Sequence, residues 1–231
     1  VGNEQAWLDY AVLVKGEVCE YLHLLCEQFY HKLNAKVLVK WERRARLPGA
    51  AQIRYRRNDW IKRRDEIHSS YVHAIAAAKG SITLVASYFL PGALFKRLLK
   101  NAARRGVQVT IILAGKSDSA SLRLAEKYLY GFYLRNGIRV YEWRNSVMHG
   151  KAVLVDQSWA SVGSYNVNYL SRYLSVELNV DVIDLAFVNE LADHLEDICR
   201  NDCNFIDEKQ LKKTSWWKGR FMWLAYNFHR L

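Results

Sequence analysis

The chain is 231 residues long, about half of them apolar and a quarter charged, with two prolines and no low-complexity tract. Such a chain has ample core for one large domain or two small ones, and its composition excludes a disordered, collagen-like or disulfide-stapled protein. Lys and Arg outnumber Asp and Glu by 34 to 23, a net charge of +11, which favours anionic partners such as nucleic acid, an anionic lipid surface or a phosphorylated substrate.

From the N-terminus, Ala11-Val12-Leu13-Val14 reads as a short strand and Lys15-Gly16-Glu17 as a turn, followed by an amphipathic helix from Val18 to Leu33. Lys36 to Asp65 is the most basic segment, and Pro48-Gly49 marks it as a connector. It is read either as a solvated linker face or as a patch for anionic headgroups or phosphates, with Trp41, Tyr55 and Trp60 among the charges. A helix from Arg64 to Ala78 then ends at Gly80, and Ser81 to Phe89 forms a strand. Leu90-Pro91-Gly92 turns into a helix from Ala93 to Arg105. Val107 to Ala114 is an apolar strand of the kind buried on both faces. After the loop Gly115 to Ser119, where Ser or Asp can cap, come a helix from Ser121 to Asn136 and a strand from Ile138 to Trp143. Ala152 to Val155 and Trp159 to Val162 pair as strands about a turn at Gln157-Ser158. Leu178 to Ile183 makes one more strand and Leu185 to Arg200 another helix. Strand and helix alternate, which is an α/β plan with helices on both faces of a sheet.

The four cysteines, Cys19, Cys26, Cys199 and Cys203, form no C-x-x-C pair, and no histidine stands at zinc-finger spacing. Reduced thiols and no metal site are expected. No basic-then-apolar leader opens the chain, and no run of about 18 apolar residues spans a bilayer. The first residues read like the interior of a domain, so the chain is expected to be a fragment of a longer protein facing the cytosol. From Thr214 to Leu231 the tail interleaves Trp, Phe and Tyr with Lys and Arg, as membrane interfaces do. A capping helix, or a contact with another part of the protein, accounts for it equally well.

One stretch concentrates the chemistry. His149, Lys151, Asp156, Gly163, Ser164 and Asn166 spell H-x-K-x4-D-x6-G-S-x-N. Residues two apart on a strand face the same way, so His149 projects with Lys151, and Ser164 with Asn166. An ammonium, a hydroxyl, an amide and an imidazole around one small volume suit a phosphate. The imidazole can attack phosphorus or transfer a proton.

This pattern resembles the signature of the phospholipase D superfamily, with every position filled. The resemblance extends more weakly over residues 54–184. Tyr88-Phe89-Leu90-Pro91 and Ser117-Asp118 look like the Tyr-Phe-x-Pro and Ser-Asp elements of cardiolipin-synthase-like members. It implies an α/β fold, a phospholipase D-like mixed sheet flanked by helices on both faces. It also implies ping-pong phosphodiester transfer through a phosphohistidine, with no cofactor and no metal. The catalytic set becomes His149, Lys151, Asp156 and Glu177. Glu177 would hold the His149 ring, and Asp156 would support the local fold. Ser164, Asn166, Tyr88, Ser117 and Asp118 become substrate contacts, with a buried aromatic and a helix cap as the plain alternatives for Tyr88 and Asp118.

The superfamily joins two such motifs in one site, and this sequence holds one: His68, His73, His194 and His229 lack the Lys two residues on. Either two copies of the chain pair as a homodimer, or the other motif lies upstream of Val1. The strand-turn-helix pattern of residues 9–33, like that which follows a first motif, favours the second. Residues 1–50 are therefore expected to be the end of a preceding half plus a basic connector, 51–205 a phospholipase D-like domain, and 206–231 a basic aromatic tail. The expected function is that of a phosphatidyltransferase, inactive as this fragment, acting on an anionic phospholipid and peripheral on the cytoplasmic face of a membrane. The alternatives are a homodimeric metal-independent nuclease acting on nucleic acid and an inactive membrane-binding module.

Overall fold

Four short runs, Ser81–Ala86, Gln108–Lys116, Ala152–Val155 and Trp159–Gly163, are rich in Val, Ile, Leu and Ala and are mostly buried on both faces. Strands of that kind need cover above and below. The computed structural model, which describes residues 7–30, 51–117, 119–212 and 216–229, supplies it. The strands are β1 Gln52–Asp59, β2 Arg64–Asp65, β3 Ser81–Ala86, β4 Gln108–Lys116, β5 Arg139–Val147, β6 Ala152–Val155, β7 Trp159–Gly163, β8 Val176–Ile183 and β9 Cys203–Phe205. They form one mixed sheet in the order β2-β1-β8-β7-β6-β3-β4-β5-β9, parallel only at β3/β4 and β4/β5. The helices are α1 Val18–Tyr30, α2 Glu66–Ala77, α3 Ala93–Arg104, α4 Ala120–Arg135, α5 Tyr169–Tyr173, α6 Leu185–Asn201, α7 Glu208–Lys212 and α8 Trp216–His229.

Helices α2, α3 and α4 cover one face, where Ile67, Tyr71, Phe95 and Tyr133 pack on Leu84 and Ile111. On the other face α6 brings Val188, Leu195 and Ile198 onto Ile112, Leu154 and Val162, and Leu8, Tyr10 and Val12 pack beside them. The expected α/β sheet with helices on both faces is what forms.

Several elements differ from the sequence reading, which did not name the short α5, α7 and β9. Ala11 to Val14 joins no ladder. Residues 7–15 alternate exposed and half-buried as an extended chain does, but they lie over the sheet by their side chains, and only Leu8 makes a bridge, to Met148. Gln52–Asp59, too polar to read as a strand, pairs with β8 along its whole length. Its charges are accommodated because Arg56 donates to Asp181 at 2.9 Å and Asn58 accepts the Ile67 N–H at 2.9 Å. The expected helix start at Arg64 moves to Glu66, because Arg64 and Asp65 turn back to pair with Asp59 and Asn58. The connector around Pro48-Gly49 lies outside the described residues. The tail forms α8, which docks on α4 through Met222 and Tyr226 and exposes Trp217, Phe221, Leu224 and Phe228.

Asp156 pins the turn between α2 and β3 to the turn after β6. Its carboxylate accepts the backbone N–H groups of Lys79 (2.9 Å), Gly80 (2.7 Å) and Ser81 (3.0 Å). Partial burial alone would raise its pKa, but these bonds and the Lys79 charge hold it below the usual value. Asp156→Ala should therefore cost about 2 kcal/mol in urea unfolding, as loss of a charged acceptor does. A depressed carboxylate stabilises fully above its unfolded pKa, so the gap between mutant and wild type should shrink as pH falls below about 3.9. An unchanged midpoint at neutral pH refutes this role.

Candidate active site

The register of the sheet assembles the site. Val85 pairs with Ala152, which places Lys151 just past the C-terminal end of β3, and Gly163 pairs with Asn179 where β7 leaves the sheet beside β8. His149, Lys151, Ser164 and Glu177 thus gather at the edge where the parallel strands β3 and β4 end. Ligands bind at this edge in open α/β sheets. Lys151 is 4% exposed, and its Nζ donates to the His149 carbonyl oxygen. Burial lowers its pKa, and the nearby carboxylates of Asp9 and Glu177 oppose that shift.

The His149 ring is held from outside its own motif. Its Nδ1 lies 2.9 Å from Asp9 Oδ2, and the Trp7 ring lies 5.6 Å from the imidazole. The Leu8 backbone clamps this segment in place: its N–H donates to Val147, and its carbonyl accepts from His149 and Gly150. Tyr10 lies over Gly150, where a Cβ would overlap its ring, so any other residue between His and Lys would push Tyr10 aside. Burial would raise the Asp9 pKa, but the hydrogen bond from His149, the Tyr10 N–H and the charges of His149 and Lys151 outweigh it and lower it. An ionised carboxylate only accepts, so neutral His149 carries its proton on Nδ1 and presents the lone pair of Nε2. The side chain is 41% exposed, open to a ligand.

Here the geometry differs from the expected contact between Glu177 and His149. Asp9 occupies the place that the resemblance gave to Glu177, because the segment at residues 7–10 crosses the motif whereas β8 runs beside β7. Glu177 instead accepts from the Ser164 hydroxyl, and the Leu178 N–H donates to Ser164 Oγ at 3.1 Å. Asp156 stands at the far end of β6 and serves the α2–β3 turn. No spacing signal pointed to Asp9, which lies 140 residues from His149 and just before a run read as a strand.

The Gly-Ser-x-Asn turn is shaped by the same packing. A Cβ on Gly163 would overlap the Leu178 carbonyl. Tyr165 is buried beneath, its N–H on Asn179 Oδ1 at 3.2 Å and its hydroxyl 3.1 Å from His68 Nδ1. Burial and the Arg172 charge push His68 down to about 4, so it is a neutral core histidine at ordinary pH. Asn166 Oδ1 is buried without a hydrogen bond among the described residues.

The turn at Tyr88 is tied to the motif. Leu90 N–H donates to Val167 O at 3.0 Å, and Phe89 N–H to Glu126 Oε1 at 2.7 Å. Burial raises Glu126 to about 7 against the pull of Arg123. Ser117 follows β4 at the same edge and accepts the Ser119 N–H at 3.2 Å. Ser119 caps α4; Asp118 lies outside the described residues. Among the described residues no group of three His, Cys, Asp or Glu side chains offers a metal cradle.

Residues 71–199 match the family described as "Cardiolipin synthase, PLD-like domain". The chain is 36% identical to cardiolipin synthase B of Salmonella typhi over 230 residues, 98% of this chain and 56% of that protein. It thus spans little more than half the length of the curated relatives it matches. Its fold is similar to that of the phospholipase D family member Nuc from Salmonella typhimurium (TM-score 0.58, 19% identity, 69% of this chain and all of that one). It is also similar to phosphatidylserine synthase of Haemophilus influenzae (TM-score 0.60, 15% identity, 80% of this chain and 47% of that one).

The Asp9 contact has a direct spectroscopic consequence. In 15N spectra, neutral wild-type His149 should be the Nδ1–H tautomer. Asp9→Ala should move it toward Nε2–H, the form a histidine side chain prefers in water, and Glu177→Gln should leave it in place. The reverse pattern would return the role to Glu177.

Proposed function

The chain belongs to the cardiolipin synthase, PLD-like domain family, and we propose that within its full-length protein it supplies one half of a phosphatidyltransferase site. The observation that carries this reading is the Asp9–His149 pair beside buried Lys151, which orients an imidazole next to a fixed positive charge. Lys151 neutralises a phosphodiester oxygen, and Asn166 and Ser164 supply neutral donors to it, Ser164 once its hydroxyl turns from Glu177. A carboxylate-oriented imidazole with a free Nε2 suits either of the two roles that phosphoryl transfer requires. One histidine forms the N–P bond as the P–O bond to the leaving alcohol breaks, and the other protonates the departing alkoxide. The acceptor alcohol then gives its proton to that second imidazole as its oxygen displaces the first.

His149 supplies one of these imidazoles. The other comes from a motif upstream of Val1 or from a second copy of the chain. Since the carboxylate on His149 comes from before residue 51, reciprocity leaves Glu177 to orient the partner histidine. The substrate is an anionic phospholipid, and the protein works peripherally at the cytoplasmic face of the membrane. The net charge of +11 supports this reading, as does the likeness to cardiolipin synthase B. Among the described residues no helix is long and apolar enough to cross a bilayer.

The full-length protein, offered phosphatidylglycerol and plasmid DNA, should turn over the lipid and leave the DNA intact. His149→Ala should lower lipid turnover by about 10³-fold or more and abolish a 32P-labelled phosphohistidine. The 231-residue chain alone should be inactive. DNA cleavage without lipid turnover makes it a nuclease, and an active isolated chain shows that two copies complete the site.

A further inference from the structure

The rim of the site carries an exposed apolar surface that the chemistry leaves unused. β1 pairs with β8 so that Asp59 faces Val176, one residue before Glu177. The hairpin between β1 and β2, Trp60-Ile61-Lys62-Arg63, therefore projects beyond the sheet edge beside the site. Trp60 is 51% and Ile61 69% exposed. Next to it stands α5, which follows the Gly-Ser-x-Asn turn and exposes Leu170 (61%) and Leu174 (53%). The two pieces are one surface: α5 packs on β1, and Arg172 donates to Asp65 on β2 at 3.0 Å while its guanidinium lies 4.8 Å from the Tyr173 ring centre.

The composition of this rim is specific. Residues 60–64 hold two bulky apolar side chains and three cations, all exposed. The acids around it are engaged: Asp59 accepts the Lys62 N–H at 3.0 Å, Asp65 pairs with Arg172 and Glu66 with Arg64. Protein interfaces deplete lysine at their centres, whereas Trp and aliphatic side chains interleaved with Lys and Arg match the boundary between acyl chains and anionic headgroups. α8 also exposes an apolar stripe, but its buried side lies on α4, whereas the hairpin and α5 border Glu177 and Ser164. A lipid phosphate has to reach Lys151 while its acyl chains stay in the bilayer, which requires the docking surface to lie at the mouth of the site.

We propose that the β1–β2 hairpin tip and α5 form the surface by which this protein docks on an anionic bilayer, with Trp60, Ile61, Leu170 and Leu174 entering the headgroup layer and Lys62 and Arg63 meeting lipid phosphates. The proposal rests on the lipid-directed reading above and adds where the membrane sits and how the site is aimed.

The test is co-sedimentation of the 231-residue chain with phosphatidylglycerol vesicles and with phosphatidylcholine vesicles. Trp60→Ser with Ile61→Ser, and separately Leu170→Ser with Leu174→Ser, should each weaken partition onto phosphatidylglycerol by about tenfold or more. Lys62→Gln with Arg63→Gln should weaken it comparably at low salt and little at high salt, as screened charges do. Trp217→Ser with Phe221→Ser on α8 should bind like wild type. These positions are exposed, so circular dichroism should match wild type; the charge variant alone decides the matter if an apolar one misfolds. Wild-type binding by the hairpin, α5 and charge variants overturns the proposal, as does loss of binding only in the α8 variant. A change of mass on size exclusion with vesicle binding intact assigns the rim to a protein contact and overturns it too. Sedimentation needs no turnover, so docking without lipid turnover sinks only the enzymatic reading, and lipid turnover without rim dependence sinks only the docking.

Discussion

The hydrogen bond between Asp9 and His149 is the constraint that gives this structure its chemical sense. An imidazole has two nitrogens, and only a fixed partner on one of them decides what the other offers. The carboxylate arrives on a short extended segment that lies over the motif, held by the Leu8 backbone and by the Tyr10 ring on Gly150. The Gly in His-Gly-Lys thus leaves room for a ring 140 positions away. Part of the site belongs to whatever lies on the N-terminal side of residue 51.

The sheet fixes the remaining groups by register. Lys151 follows from the pairing of β6 with β3, and Ser164 from Gly163 closing against Leu178 and Asn179. The resulting electrostatics are balanced: a buried ammonium between Asp9 and Glu177, with desolvation lowering its pKa and the two carboxylates opposing. In the proposed reaction a phosphodiester would bring its negative charge to a lysine stripped of water, where the attraction is stronger than in solvent. The rim of aromatic, aliphatic and basic side chains lies on the same edge, so charge at the centre and apolar surface at the border point the same way.

The motif and most of the frame were legible because they are local. His149 and Lys151 stand at period-two spacing just before β6, and Ser164 and Asn166 just after β7, strands whose apolar runs are unmistakable, and the structure brings His149, Lys151 and Ser164 to one edge. Gly80, Gly106 and Gly137 marked helix ends correctly to within a few residues. β1 was not legible, because a strand reading Gln-Ile-Arg-Tyr-Arg-Arg-Asn-Asp has no apolar period; it is a strand because β8 offers a free edge and Asp181 takes its arginine. Ala11 to Val14 failed in the opposite way: it has strand composition, but it lies over the face and has no ladder neighbour. For Glu177, chain distance from His149 matched a role that the path of β8 does not deliver.

By itself the amino-acid sequence determined the α/β frame, the spacing of His149, Lys151, Ser164 and Asn166, and the basic charge. These depend on residue type and short-range spacing, which a linear chain displays directly. Only the tertiary structure decided which carboxylate holds the imidazole, which turn Asp156 serves, that His68 is a neutral core residue, and that α5 packs on β1 with Arg172 on Asp65. Each of those is a contact between segments far apart in the chain, set by strand register and packing, and no periodicity along the sequence encodes it.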